Sequence, residues 1–232
     1  MDNIYQRTEL VIGKKNLEKL KKTKVCICGI GGVGSYVLEA LARVGVGSIT
    51  IIDKDNIDIT NLNRQIIATM GNVGNPKVTE AKKRITSINP EINITAIQDF
   101  IDSNNVEQYI AKDYDYVIDA IDSVESKIAI IKTCKQKGVK IISSMGMANR
   151  LDPLRIKITD ISKTEVCPLA KVVRKRLKEE KIEKVKVVFS TENAIKTEGK
   201  LLGSVSYVPA TAGLVIASEV VKDIINKEKG EL

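Results

Sequence analysis

The chain has 232 residues, 43% apolar and 3% aromatic, with no histidine and no tryptophan, which fits one ordered domain with a full core. Lysine and arginine number 37 against 29 acids, and the net charge of +8 suits a polyanionic partner or plain solubility alike. Without histidine, Ser-His and Cys-His nucleophile pairs are excluded, and so few aromatics disfavour a base-stacking platform.

In chain order, Met1 to Gln6 has no basic stretch followed by an apolar one, so no secretory signal is expected. Lys24 to Cys28 is a short apolar run that enters a glycine-rich turn. Val33 to Val44 then predicts a helix with Val37, Leu38, Leu41 and Val44 on one face. Ser48 to Asp53 is rich in β-branched residues and predicts a buried strand. Pro76 to Ile88 predicts a helix with proline near its first turn. Ile92 to Ile97, Tyr116 to Ala120 and Val139 to Ser144 predict further strands with helices between them. Such alternation implies parallel βαβ units.

Beyond Arg150 the pattern changes. Leu154 to Thr159 and Val185 to Ser190 predict strands that flank a basic helix, Pro168 to Lys181. A last helix is predicted from about Ala210 to Asn226. The apolar window Gly203 to Val221 is interrupted by Ser204, Ser206, Pro209 and Glu219, so it predicts a buried loop and helix, not a membrane span. No Gly-, Ser- or Pro-rich linker divides the chain. One domain over 1–232 is expected, with a nucleotide-binding core at about 22–150 and an extension at about 151–232 that supplies substrate and dimer elements. The four cysteines, Cys26, Cys28, Cys134 and Cys167, form no C-x-x-C pair, so no zinc is expected. They are expected as reduced thiols of a cytoplasmic protein.

The run Gly29-Ile30-Gly31-Gly32-Val33-Gly34-Ser35 lies between a predicted strand and a predicted helix, the context of a nucleotide fingerprint. Gly29, Gly31, Gly32 and Gly34 would let backbone N–H groups approach phosphate at a helix amino terminus. Asp53 ends the next strand, where a carboxylate can accept from ribose hydroxyls, and Asp55 belongs to the same cofactor site. The motif alone leaves NAD, FAD and ATP open. Thr60-Asn61-Leu62-Asn63-Arg64-Gln65 and then Lys77 gather an amide and two cations beyond that strand, which suits a triphosphate. Asp122 follows the fourth predicted strand at its carboxyl end, where it can hold Mg²⁺ together with phosphate oxygens. The fold class expected is therefore α/β: a Rossmann-like ATP-binding fold whose largely parallel sheet is extended by C-terminal strands.

These residues resemble the ubiquitin-activating-enzyme-like adenylyltransferases, through GIGGVGS at Gly29 to Ser35, Asp53, TNLNRQ at Thr60 to Gln65, Lys77 and Asp122. The resemblance implies that Asp53 binds ribose, that Asn61, Arg64 and Lys77 bind phosphates, and that Asp122 holds the metal. Tyr5-Gln6-Arg7 resembles the family's amino-terminal arginine motif, which implies a homodimer in which Arg7 serves the partner's site. Within the superfamily the chain is most similar to the tRNA threonylcarbamoyladenosine dehydratases. RTELVIG, SMGMANRLDPLRIKITDI, CPLAKVVRKRL, VVFSTE and GSVSYVPATAG carry that likeness, from Tyr5 to about Ile225. It implies ATP-dependent activation of a carboxylate on modified tRNA, followed by ring closure with loss of water. It leaves open a monovalent cation and a sulfur-transfer protein partner.

On the basic helix, Leu169, Val172, Val173 and Leu177 form an apolar stripe, and Lys171, Arg174, Lys175 and Lys178 a basic one that is expected to contact tRNA. From Lys163 to Lys186 there are nine Lys or Arg against four acids, a local excess that makes up much of the net charge. Cys26 and Cys28 read as core residues. Cys167, at the start of the basic helix, is placed where a thiolate would be favoured, yet ring closure needs no enzyme nucleophile. The alternative readings are adenylation of the carboxyl terminus of a ubiquitin-like sulfur carrier and a nucleotide-binding regulatory module without turnover. The first is disfavoured because its members usually hold zinc through two C-x-x-C pairs.

Overall fold

The computed structural model describes residues 4–199 and 201–226. The ends of the predicted 1–232 domain, 1–3 and 227–232, and position 200 lie outside the described residues.

Two helices not predicted from the sequence, α1 (Gln6–Ile12) and α2 (Lys14–Lys21), meet at Gly13, whose φ of 81° is open to glycine. They were illegible because α1 buries no residue and α2 buries only Leu17 and Leu20, too few for a periodic stripe. Then follow β1 (Lys24–Cys28), α3 (Gly34–Val44), β2 (Ser48–Ile52), α4 (Lys77–Ile88), β3 (Asn93–Ile97) and the single turn α5 (Val106–Tyr109). The second half holds β4 (Tyr116–Asp119), α6 (Val124–Lys137), β5 (Ile141–Ser144), β6 (Ile156–Asp160), α7 (Pro168–Glu179), β7 (Lys186–Ser190) and α8 (Tyr207–Ile225). Every predicted strand is present, with ends shifted by one or two residues. The last helix begins earlier than predicted, because Pro209 sits in its first turn, where a missing N–H costs nothing.

The seven strands form one sheet in the order β3-β2-β1-β4-β5-β7-β6. All neighbours pair in parallel except β6 and β7, which are antiparallel. This is the expected largely parallel sheet with its carboxyl-terminal extension. Strand order reverses between β1 and β4, the switch point beyond which ligands bind in such sheets.

Alternation along each strand divides the core into two layers. Val25 and Ile27 of β1 face Val37, Leu38 and Leu41 of α3, Val78 and Ile85 of α4, and Ala212 and Ile216 of α8. Cys26 and Cys28, one residue out of phase, face Ile130, Ile131 and Cys134 of α6 and Val173 and Leu177 of α7. The predicted core role of Cys26 and Cys28 thus follows from strand pleat, and burial pushes the Cys134 thiol up as well. Gly213 lets α8 press on α3, since a Cβ there would lie 2.5 Å from Val33 O. Among the described residues, no helix is long and apolar enough to cross a membrane.

Candidate active site

A cavity of about 620 Å³ opens at the carboxyl ends of the strands, beside the β1/β4 switch point. That is ample for a nucleotide. Gly29, Gly31, Gly32, Asp53 and Asp55 line it, together with Asn61, Arg64, Lys77 and Asp122. Residues spread over nearly a hundred positions therefore converge because β1, β2 and β4 are adjacent and all end on one side.

The glycines divide the work of the loop. Gly29 has a φ of 90°, and a Cβ there would lie 2.8 Å from Ala120 O, so the loop after β4 presses directly on it. A Cβ on Gly34 would lie 1.8 Å from Gly29 O, which makes Gly34 the packing glycine that lets α3 start so close to β1. At Gly31 a Cβ would meet only Gln65 Nε2, at 4.0 Å. Gly31 therefore faces space, and a phosphate could reach its backbone.

Asp53 follows β2 and is tied from two sides. Its Oδ2 accepts from Ile30 N at 2.6 Å, and its Oδ1 from Asp55 N at 2.8 Å. Each oxygen keeps a lone pair for a ribose hydroxyl. Lys77, at the start of α4, is buried and donates to Asp55 Oδ2 at 2.8 Å. Asn61 accepts from Asp58 N through Oδ1 at 3.1 Å in a capping box, so part of its role is to shape its own turn. Arg64 Nη1 donates to Thr60 O at 2.9 Å and to Asn63 Oδ1 at 3.0 Å, and its Cγ and Cδ lie beside Gly32.

Asp122 is exposed on the opposite wall, and its carboxylate accepts no hydrogen bond among the described residues. No group of three or more His, Cys, Asp or Glu converges among the described residues. A carboxylate such as that of Asp122, beside a cavity that can hold a nucleotide, fits Mg²⁺, which binds through one or two carboxylates and completes its shell with phosphate and water. Gln65 offers a further polar group to a ligand in this cavity. It is 5% exposed, lines the cavity, and its Oε1 has no hydrogen-bond partner among the described residues.

Other expected residues lie apart. Arg7 is exposed on α1 and does not line the cavity. On α7, Lys171, Lys175 and Lys178 are exposed, but Arg174 is not part of a free basic stripe. Its Nη1 donates to Thr164 O at 2.7 Å and to Thr164 Oγ1 at 2.6 Å, anchoring the turn before the helix. The apolar stripe also needs correction: Val172 is 47% exposed, and Ala170 takes the inner position beside Val173 and Leu177. Cys167 is buried at the amino end of α7, and its Sγ lies 3.7 Å from where a Cβ on Gly146 would stand.

Sequence reading missed several walls of the cavity. Phe100, after β3, is 41% exposed, and Lys54 Nζ lies 4.7 Å from its ring centre. Beside it, the Tyr109 hydroxyl donates to Asp99, which holds the Asp99 carboxyl below its usual range. Met145 to Ala148, after β5, form the far wall. The signal available was position: each segment follows the carboxyl end of a parallel strand.

The model of the ThiF family matches residues 5–232. The chain belongs to the ThiF family. It is 45% identical to the tRNA threonylcarbamoyladenosine dehydratase of Bacillus subtilis, over 95% of this chain and 94% of that protein. A crystal structure of the Escherichia coli tRNA N6-threonylcarbamoyladenosine dehydratase in complex with ATP superposes with a TM-score of 0.92 at 39% identity. That likeness covers 98% of this chain and 96% of the other. The molybdopterin-synthase adenylyltransferase of Haemophilus influenzae is 36% identical, but over only 58% of this chain and 54% of its own. By the extent of that likeness, this ThiF-family chain is an adenylating enzyme.

Proposed function

We propose that this enzyme dehydrates and cyclises N6-threonylcarbamoyladenosine in tRNA, using ATP and a carboxyl-adenylate intermediate. What carries the reading is the extent of the likeness. The dehydratase of Bacillus subtilis aligns over nearly the whole of both chains, whereas the carrier-protein adenylyltransferase aligns over little more than half of each.

A carboxylate oxygen of the substrate attacks the α-phosphorus of ATP, and pyrophosphate leaves. Arg64 and Lys77 neutralise the departing phosphates, the backbone at Gly31 and Gly32 cradles them, and Asp53 orients the ribose. Asp122 is the residue that would hold Mg²⁺, which when bound supplies positive charge against the phosphate oxygens. An atom of the same threonylcarbamoyl group then attacks the activated carbonyl and expels AMP. The carboxylate oxygen departs on AMP, so the ring closes with net loss of water. No enzyme nucleophile is required, which fits the burial of all four cysteines.

The same reading assigns the exposed lysines of α7, Lys171, Lys175 and Lys178, to tRNA phosphates. It also assigns a homodimer in the cytoplasm, with Arg7 serving the partner's site. The α1 helix supports this: it buries none of its residues, and Leu10 and Val11 are 83% and 85% exposed. The test is pyrophosphate release from ATP with three added substrates: modified tRNA, the same tRNA without the modification, and a ubiquitin-like carrier protein. Release with the first alone supports the proposal. Release with the carrier and none with tRNA would replace it.

A further inference from the structure

Beneath the far wall of the cavity, a charged pair is sealed from solvent. Asp119, the last residue of β4, and Lys127, in α6, are both 0% exposed, and Lys127 Nζ lies 2.8 Å from Asp119 Oδ2. Ser143 of β5 donates to that same oxygen at 2.5 Å. Lys127 Nζ also donates to the backbone oxygen of Ser144 at 2.7 Å, and Asp119 Oδ1 accepts from Ile121 N at 3.1 Å. Every bond the pair makes outside itself thus goes to β5, to its last residue, or to the loop after β4.

A buried ion pair is a poor device for stability, because desolvation offsets most of its attraction, and well-packed apolar residues do as well or better. Its use here is better sought in what it fixes. The backbone at Ile121 leads into Asp122, and Ser144 leads into Met145 and Gly146; all five line the cavity. Ala120, between Asp119 and Ile121, is the residue whose oxygen abuts Gly29. One pair therefore sets the relative position of two segments: the loop that carries Asp122 and the neighbouring loop after β5. Apolar packing would hold the strands together but would not fix these loop carbonyls and amides by direction.

The geometry points to Asp119 and Lys127 as positioning residues, which hold Asp122 and the Ser144–Gly146 wall in the arrangement that adenylation requires. They touch no substrate and act through the loops. The inference rests on the adenylation reading above. The expected signature is loss of kcat with ATP binding retained, since ribose and phosphate are gripped chiefly by Asp53, Lys77 and the glycines on the other side.

The test replaces the pair as a unit, with the double variant Asp119→Leu/Lys127→Met, and separately makes Ser143→Ala, which leaves the pair whole. Thermal unfolding, ATP affinity by calorimetry, and kcat for pyrophosphate release with modified tRNA are read for each beside the unaltered enzyme. The double variant should unfold at or above the original temperature, bind ATP within about threefold, and lose about a hundredfold in kcat, the scale of an ångström misplacement. Ser143→Ala should show the same split at about three- to tenfold, and it carries the test alone if the double variant does not fold. An original kcat in either folded variant, or losses of kcat and ATP affinity in parallel, would overturn the inference. If the unaltered enzyme itself releases no pyrophosphate with modified tRNA, the adenylation reading fails instead.

Discussion

The Nζ of Lys77 sits 2.8 Å from Oδ2 of Asp55, inside a cavity shaped for a nucleotide. Lys77 is 6% exposed, so its charge is taken out of water and held by this partner. In the adenylation reading, an arriving triphosphate would compete with Asp55 for this ammonium.

The first prediction follows from that arrangement. Lys77→Ala, Arg64→Ala and Asp122→Asn should each lower turnover by about a hundredfold or more, since the first two remove positive charge that offsets the departing phosphates and the third removes the carboxylate that would hold the metal. Pyrophosphate release is the measurement. Near-normal release from Asp122→Asn would remove the proposed metal role from that residue.

Arg7 offers a test of assembly. Inactive Arg7→Ala subunits mixed with inactive Lys77→Ala subunits should regain part of the original activity, because one site of each hybrid dimer would hold both intact residues. Verified heterodimers that stay inactive would show that Arg7 serves its own site or none.

Much of this was legible in the sequence, for particular reasons. The β1 strand and α3 could be read because Val25 to Gly34 joins an apolar run to a glycine turn, and both features are local. Convergence of Asp53, Arg64, Lys77 and Asp122 could be anticipated because parallel strands deliver their carboxyl ends to one side. Phe100 and Met145 gave no local sign, since nothing in their neighbourhood sets them apart from ordinary loop residues. Lys127 was hidden for a different reason: a lysine in a helix reads as solvated until the fold turns it inward, and α6 buries six residues in succession, Lys127 included. Arg174 shows the reverse error, for spacing placed it on an exposed stripe while Thr164 draws it back.

Glu39 links two helices and gives a prediction about acid. Its Oε2 accepts from Arg84 Nε at 2.8 Å, and its Oε1 from Arg43 Nε at 2.7 Å. Burial alone would raise its carboxyl, but the two guanidinium groups outweigh burial and hold it below the usual range. A lowered pKa in the folded state gives stability that is present above the unfolded value, about 4.3, and lost as pH falls through the folded one. After allowance for solvent screening, Glu39→Gln should cost about 1 kcal/mol at pH 7. Denaturant unfolding should show that difference shrinking below about pH 4.3; a difference that persists in acid would assign the effect to packing.

The α7 lysines carry a prediction about salt. Replacing Lys171, Lys175 and Lys178 by Ala should weaken tRNA binding equally for modified and unmodified tRNA, because phosphate contacts are blind to the base. The slope of log affinity against log salt should become shallower by about two to three units, at roughly 0.7 to 0.9 per contact. Arg174→Ala should instead lower stability, since it frees Thr164 O. An unchanged slope in the triple variant would place the RNA footprint elsewhere.

The reaction proposed for this enzyme is removal of water from N6-threonylcarbamoyladenosine within tRNA. Mass spectrometry of the nucleosides from tRNA incubated with enzyme, ATP and Mg²⁺ tests it directly. The threonylcarbamoyladenosine peak should give way to one lighter by a single water, with AMP formed in equal amount and no conversion when ATP is omitted. An unchanged nucleoside in the presence of an enzyme that binds ATP would contradict it.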